Sequence, residues 1–231
     1  MKTITSRHNP LLKRFREAIR EHKEEIAIEG PKAVADAVAH GWKAISVLER
    51  GVDVSEEVFD SITETKNPQH VIGLFERPRA TAAEILARRD TIAVALDGVQ
   101  DPGNVGTIVR LAAAFDAAGV LLLPGCADAF GAKAIRASVG AILTVPVARV
   151  STQELLDARI PLVATALHGT SDEPPAQNAV LVFGNEGAGV SEEVLRHATP
   201  LSIAMSGRVE SLNVASSAAI LLARSFALRQ R

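Results

Sequence analysis

The chain of 231 residues has no tyrosine, a single tryptophan (Trp42), one cysteine and only 3% aromatic residues. A core without large rings must be filled by alanine, valine, leucine and isoleucine. The lone Cys126 excludes an intrachain disulfide and any multi-cysteine metal site, so no metal is expected. Apolar runs such as Ala117–Pro124 fall far short of the roughly 20 residues needed to cross a bilayer. Met1-Lys-Thr-Ile-Thr-Ser-Arg-His8 lacks the apolar stretch of a secretory signal. These absences point to the cytoplasm, with no membrane partner. Hydrophobic residues make up 47%, which excludes disorder, and the length suits one large domain or two small ones.

No charge of either sign dominates: the formal net charge is −2. The distribution is less even. Within residues 1–20, Lys2, Arg7, Lys13, Arg14, Arg16 and Arg20 face Glu17 alone. A local basic arm can hold phosphate even on a slightly acidic protein, and a solvated helix face would look the same.

Residues 1–77 alternate between helical and extended patterns. Asn9-Pro10 opens a helix reaching about Glu25, with Leu11, Leu12, Phe15, Ala18 and Ile19 at helical spacing. Glu25–Gly30 alternates as a strand, Pro31 starts a helix over Ala33–His40, and Gly41 stops it. A strand at Ala44–Leu48, a helix at Val54–Ser61, a loop at Thr65–Gln69 and a strand at His70–Phe75 follow. The rhythm changes at Pro78, and 78–90 is expected as a linker.

Residues 91–231 read as a second α/β domain. Its strands are expected at Ile92–Leu96, Gly119–Leu123, Ile142–Val147, Leu162–Ala166, Ala179–Phe183 and Leu201–Ala204. They are continuous apolar runs, as in a mostly parallel sheet covered on both faces. Helices are expected at Val105–Ala118, Ala132–Val139, Thr152–Ala158, Ser191–His197 and Val214–Leu228. Ser151 and Ser191 are suited to cap two of them, with acidic residues in the first turns.

Three polar loops between a strand and a helix stand out, and such loops carry the chemistry of open α/β proteins. The first, Asp97–Arg110, has Gly98, Gly103 and Gly106 for close backbone approach. Asn104 falls near the expected helix start. Arg110 lies six residues on, so the two need not share a face. In its apolar surroundings Arg110 would be costly to bury without an anion, which leaves an internal salt bridge or a phosphate as partner. The second loop, Phe183–Gly189, has glycines in the order G-x-x-G-x-G, not the dinucleotide G-x-G-x-x-G, and no Walker lysine. Glu186 would repel a pyrophosphate, so a neutral or cationic ligand fits better. The third loop ends in Ser211-Leu-Asn213, where either Ser211 or Asn213 could cap the last helix.

Together these loops resemble a known family. Asn104-x-Gly-x-x-x-Arg110, Phe183-Gly-Asn-Glu-Gly187 and Ile203-x-Met-x-Gly-x-x-x-Ser-Leu-Asn213 are similar to the three motifs of the SpoU (TrmH-like) branch of SPOUT methyltransferases. Arg136-Ala-Ser-x-Gly140 resembles a further family stretch. Thr5-Ser-x-x-Asn-Pro10, Glu29-Gly-Pro31 and Pro68-Gln69 resemble its accessory RNA-binding domain, shaped like small ribosomal proteins. The departures are Asp116 after Ala114-Phe115, Ala204 before Met205 and His70 after Gln69. His168 could pass for a catalytic base, yet fits better as a loop residue.

The resemblance implies S-adenosylmethionine-dependent transfer of a methyl group to an RNA ribose 2′-hydroxyl, with ribosomal RNA ahead of tRNA as substrate. The alternatives are a non-catalytic RNA binder of the same fold and, more remotely, a nicotinamide enzyme. It also implies a trefoil-knotted C-terminal domain, a homodimer, and a cofactor site at Thr165, Ala166, Gly184, Gly187, Ile203, Met205 and Leu212. Arg110 would be the central catalytic residue, with Asn104, Glu186, Ser211 and Asn213 orienting it and the ribose. An arginine is a poor base, with a pKa above about 12, so a shared role is expected: holding phosphate and tuning the hydroxyl. Arg7, Lys13, Arg14 and Arg136 are the expected RNA contacts.

Overall fold

A computed structural model describes residues 3–21, 23–63, 68–169 and 173–231. Lys2 and most of the expected loop at Thr65–Gln69 lie outside them. The chain divides into two compact units: Met1–Pro78 with Phe130–Ile135, and Arg79–Ala129 with Arg136–Arg231.

The first unit contains α1 (Pro10–Glu21), β1 (Glu25–Glu29), α2 (Pro31–Ala39), β2 (Ala44–Glu49), α3 (Glu56–Asp60) and β3 (Val71–Glu76). The Leu11 N–H donates to Asn9 Oδ1 at 2.9 Å, anchoring the start of α1. The helix stops at Glu21, a turn short of the expected end. The strands form an antiparallel sheet in the order β1-β3-β2. Leu12 and Phe15 of α1 and Phe59 of α3 bury against Leu48, Ile72 and Leu74. The basic arm is not isolated. Arg7 pairs with Glu57 at 2.7 Å, Arg14 with Glu25, and Lys13 with Glu17 at 3.6 Å. Two of those carboxylates come from beyond the segment whose charge looked one-sided.

The second unit comprises α4 (Ala82–Leu86), β4 (Ile92–Asp97), α5 (Pro102–Ala114), β5 (Val120–Leu122), α6 (Ala132–Ser138), β6 (Val147–Arg149), α7 (Thr152–Asp157), β7 (Leu162–Thr165), β8 (Ala179–Gly184), α8 (Glu192–Leu195), β9 (Ala198–Leu201) and α9 (Val214–Arg229); the first residues of α6 group with the other unit. Its six strands are parallel throughout, in the order β6-β5-β4-β8-β7-β9. Ala93, Ala95, Leu121, Val180 and Val182 pack with Ile85 and Leu86 of α4, Leu155 of α7 and Val194 of α8. Alternation along the strands turns Val94, Leu96, Leu122 and Phe183 to the other face, and α5 packs against α9.

Several expectations need correction. The interval 78–90 holds α4, whose Thr81 and Glu84 form a reciprocal capping box and whose Ile85 and Leu86 enter the core. The apolar run at 142–147 is not a strand: Ala141–Leu143 is a 3-10 turn, and pairing begins at Val147. Pro146 has no N–H to give a ladder, so the strand starts after it. The expected strand at Leu201–Ala204 ends at Leu201, because the residues that pair with β7 are Ala198–Leu201. Pro200 is tolerated there because β9 is an edge strand. Helix α5 starts at Pro102 with Asp101 as its cap, so Asn104 sits inside the first turn.

Among the described residues, four other than glycine have positive φ: Asp116, Val139, Arg159 and Asn178. Asp and Asn tolerate that region. Val139 at φ 50° is β-branched, and left-handed backbone costs an L-residue about 1–2 kcal/mol.

Candidate active site at the carboxyl ends of the parallel strands

Strands β4 and β8 are sheet neighbours with Asp97 in register with Gly184, so the first two loops leave the sheet side by side. The β8 turn is held from both directions. Asn185 and Gly189 exchange backbone hydrogen bonds of 2.9 Å each. The Asn185 side-chain oxygen accepts from the N–H groups of Gly187 at 2.8 Å and Ala188 at 2.9 Å. Its amide nitrogen donates to the Gly98 carbonyl at 2.8 Å, joining this loop to the first. A Cβ at Gly184 would lie 2.1 Å from the Gly189 carbonyl carbon and the Val190 nitrogen, so only glycine fits. Asp97 accepts from the Ser191 N–H at 2.8 Å, tying β4 to the start of α8.

Asn104, Glu186 and Asn213, one from each loop, form a continuous hydrogen-bonded chain. Asn104 Nδ2 donates to Glu186 Oε1 at 2.8 Å. Asn213 Nδ2 donates to Asn104 Oδ1 at 3.2 Å. Asn213 Oδ1 accepts from the N–H groups of Ala215 at 2.9 Å and Ser216 at 3.3 Å, capping α9. A carboxylate only accepts and a helix N-terminus only donates, so a single orientation of both amides satisfies every group. The chain therefore fixes loops that are 82 and 109 residues apart in sequence.

Arg110 is not buried. It is exposed on α5 and makes no hydrogen bond or ion pair among the described residues. The internal salt bridge is set aside by that exposure, because an exposed guanidinium needs no protein partner. Arg110 stands six residues beyond Asn104 on the same helix and outside the hydrogen-bonded chain. Ser211 is exposed and plays no part in the cap, which belongs to Asn213. Arg136 is exposed in the last turn of α6, without a side-chain partner among the described residues.

The residues expected to hold a cofactor lie along β7, β8 and β9 and their loops. The Ala166 N–H donates to the Leu201 carbonyl at 2.9 Å. The Thr165 hydroxyl donates to the Val182 carbonyl at 3.3 Å. A Cβ on Gly169 would meet the Ser202 nitrogen at 2.4 Å, which shows how closely the 166–169 loop lies on the third loop. Ile203 is half-buried, Gly187 is exposed, and Leu167, Met205 and Leu212 present apolar side chains to solvent. His168 is an exposed loop residue.

Residue-by-residue reading of the sequence missed Asn185 and Gly169. An asparagine two residues before a glycine within a turn is a recognisable Asx-turn signal, whereas nothing local marks Gly169. Cys126 is buried, donates to the Leu96 carbonyl at 3.1 Å, and has its thiol pKa pushed up by burial. No group of three His, Cys, Asp or Glu side chains suited to a metal exists among the described residues, and none of their helices is long and apolar enough to cross a membrane.

Residues 91–223 match the model of the SpoU rRNA Methylase family. The chain is 35% identical over 217 residues to the 23S rRNA (guanosine(2553)-2′-O)-methyltransferase RlmP of Bacillus subtilis, covering 87% of this chain and 84% of that protein. It is 31% identical to the 23S rRNA (uridine(2479)-2′-O)-methyltransferase of Streptomyces viridochromogenes, covering 90% and 83% respectively. The AdoMet-bound rRNA methyltransferase from Sinorhizobium meliloti superimposes with a TM-score of 0.85 at 32% identity over 97% of both chains. The S. viridochromogenes SpoU methyltransferase AviRb, in complex with AdoMet, gives 0.85 at 26% identity over 96% of this chain and 99% of its own. With the family match spanning the very loops that Asn104, Glu186 and Asn213 join, the chain belongs to the SpoU rRNA methylase family.

Proposed function

We propose that this protein transfers a methyl group from S-adenosylmethionine to a ribose 2′-hydroxyl of ribosomal RNA. The observation that carries this reading is the Glu186–Asn104–Asn213 chain, which ties the three loops of the family's motifs into one site. RlmP and the S. viridochromogenes uridine methyltransferase named above act on 23S rRNA, which favours the large-subunit RNA over tRNA. One modifies a guanosine and the other a uridine, so family membership leaves the base open.

The residues present suit the cofactor. Closely packed strand ends supply backbone groups, and exposed Leu167, Met205 and Leu212 offer apolar surface to an adenosyl group. Thr165, Ala166, Gly184, Gly187, Ile203, Met205 and Leu212 would hold it. When bound, it supplies a methyl group on a sulfonium centre. The protein contributes position more than chemistry. Arg110, unpartnered and exposed, holds the RNA phosphate and donates an N–H to the 2′-hydroxyl oxygen, which makes that hydroxyl more acidic. The proton lost as the methyl group is transferred passes to water. Asn104, Glu186 and Asn213 keep the loops in register beneath it, and Ser211 faces the ribose. Residues 1–77 serve as the RNA-binding module, with Arg7, Lys13 and Arg14 on its basic arm, and 91–231 as the methyltransferase domain, with α4 of the interval 78–90 packed into its core. Arg136 adds a phosphate contact. The catalytic domain carries the family's trefoil knot, and the working form is a cytoplasmic homodimer.

The test is transfer of labelled methyl from S-adenosylmethionine to ribosomal RNA lacking the modification, followed by nucleoside analysis. One 2′-O-methylated nucleoside from 23S rRNA is expected. Label in tRNA alone would move the substrate. Tight cofactor binding with no transfer to any RNA would leave a non-catalytic binder.

A further inference from the structure

Val139 is the one apolar side chain at positive φ among the described residues, and at 68% it is the most exposed of their large apolar side chains. Packing does not explain it, because nothing in the described chain covers it. Local conformation does not either, since glycine would take the same backbone without strain. A β-branched residue held in a disfavoured conformation and turned to solvent calls for a functional reason.

The turn presents this side chain on a firm base. Ser138 before it is fully buried. The Val139 N–H donates to the Arg136 carbonyl at 3.2 Å, and the Leu143 N–H donates to the Gly140 carbonyl at 3.0 Å. Gly140, left-handed at φ 86°, leads into the 3-10 turn Ala141–Leu143, which packs on α5. On its own segment, and on the helix that the 3-10 turn packs against, the charges are cationic. From Arg136 to Gln153 the chain carries Arg136 and Arg149 and no acidic residue, and Arg110 is the only charged residue of α5. Neither Arg110 nor Arg136 has a side-chain partner among the described residues. Pressing a second copy of this surface onto itself would crowd like charges, whereas a polyanion would satisfy them.

We propose that Val139 is an RNA contact. Its methyl groups rest on the base or ribose face of a nucleotide whose backbone phosphates are taken by Arg110 and Arg136. This rests on the reading that the substrate is RNA. The strain then persists because it aims an apolar surface at the ligand, while the arginines hold the strand.

The test compares Val139→Gly and Val139→Ala in the full chain, measuring direct binding to the ribosomal RNA substrate without cofactor. Glycine relieves the strain, so Tm should rise by about 2–4 °C while the RNA Kd weakens roughly 5- to 10-fold, the scale of a few lost apolar groups. Alanine keeps the strain but loses methyls, so affinity should fall with no gain in Tm. S-adenosylmethionine affinity should stay within about twofold in both, since the contact is to RNA alone. Unchanged RNA affinity in Val139→Gly would overturn the proposal. So would dissociation of a dimer by that substitution, which would assign the residue to a contact between copies. If the wild type transferred no methyl group but Val139→Gly still weakened RNA binding, the contact would stand and only the reaction would fall.

Discussion

Asn104→Ala separates positioning from stability. It removes the donor to Glu186 at 2.8 Å and the acceptor from Asn213 at 3.2 Å. Both partners are exposed and can turn to water, so no buried group is orphaned. Such bonds are worth about 1 kcal/mol or less each, which in a chain of this size lowers Tm by only a few degrees, about 2–4 °C per kcal/mol. Asn213 keeps its cap on α9, because that uses the other side of its amide. What is lost is the hydrogen-bonded side-chain link that runs through all three loops, and misplacing reacting groups by about 1 Å can cost about 100-fold in rate. The expected result is a kcat lowered about 100-fold with cofactor affinity within about threefold. Asn104→Asp should be worse than Asn104→Ala, since it sets a second carboxylate against Glu186. A cycle with Glu186→Gln should be strongly non-additive if the two act as one unit. Near-normal kcat in Asn104→Ala would refute the positional role, as would an activity loss fully matched by loss of fold.

Arg110→Ala should leave Tm within about 1 °C, because surface substitutions away from partners change stability by about 0.5 kcal/mol or less, while kcat/KM falls at least about 100-fold; Arg110→Lys should not restore it, since a point charge lacks the fork geometry. Unchanged methyl transfer in Arg110→Ala would dismiss the catalytic assignment. Asn185→Ala strips two N–H groups of their acceptor and the Gly98 carbonyl of its donor, so a loss of about 2 kcal/mol is expected; calorimetry showing no change would mean that the turn holds itself. The Glu154 carboxylate accepts from the Ser151 N–H and hydroxyl, which hold its pKa below the usual 4.5. The native state therefore favours the charged form: this stabilisation is complete above the unfolded-state value and is lost as pH falls through the lower native one. Glu154→Gln should flatten Tm against pH between about 5 and 3, and identical slopes would reject the linkage.

Much of the fold was legible because buried parallel strands declare themselves as apolar runs. Ile92–Asp97 and Ala179–Gly184 were located within a residue. The failures share one cause: pairing partners lie far away. The run at 142–147 is as apolar as a strand, yet its pairing with β5 starts only at Val147. The stretch after Leu201 is apolar enough for a strand, but β7 has already paired with the residues before it. Charge counting failed likewise, since Glu25 and Glu57 reach the basic arm only through folding.

The site divides along the same line. Residue types and spacing brought forward Asn104, Glu186 and Asn213, but not the fact that they bond to one another. That fact depends on β4 lying beside β8 and α5 beside α9, a topology no local window contains. Arg110 makes the converse point. An arginine in an apolar run argued for burial, yet helical phase leaves position 110 exposed while Val109 and Ala112 face the core. Its exposure strengthens the functional reading, because a guanidinium already paired inside the protein could take phosphate only by breaking that pair. The stable parts of the domain thus position the site, while Arg110 and Arg136, both exposed, remain open to RNA.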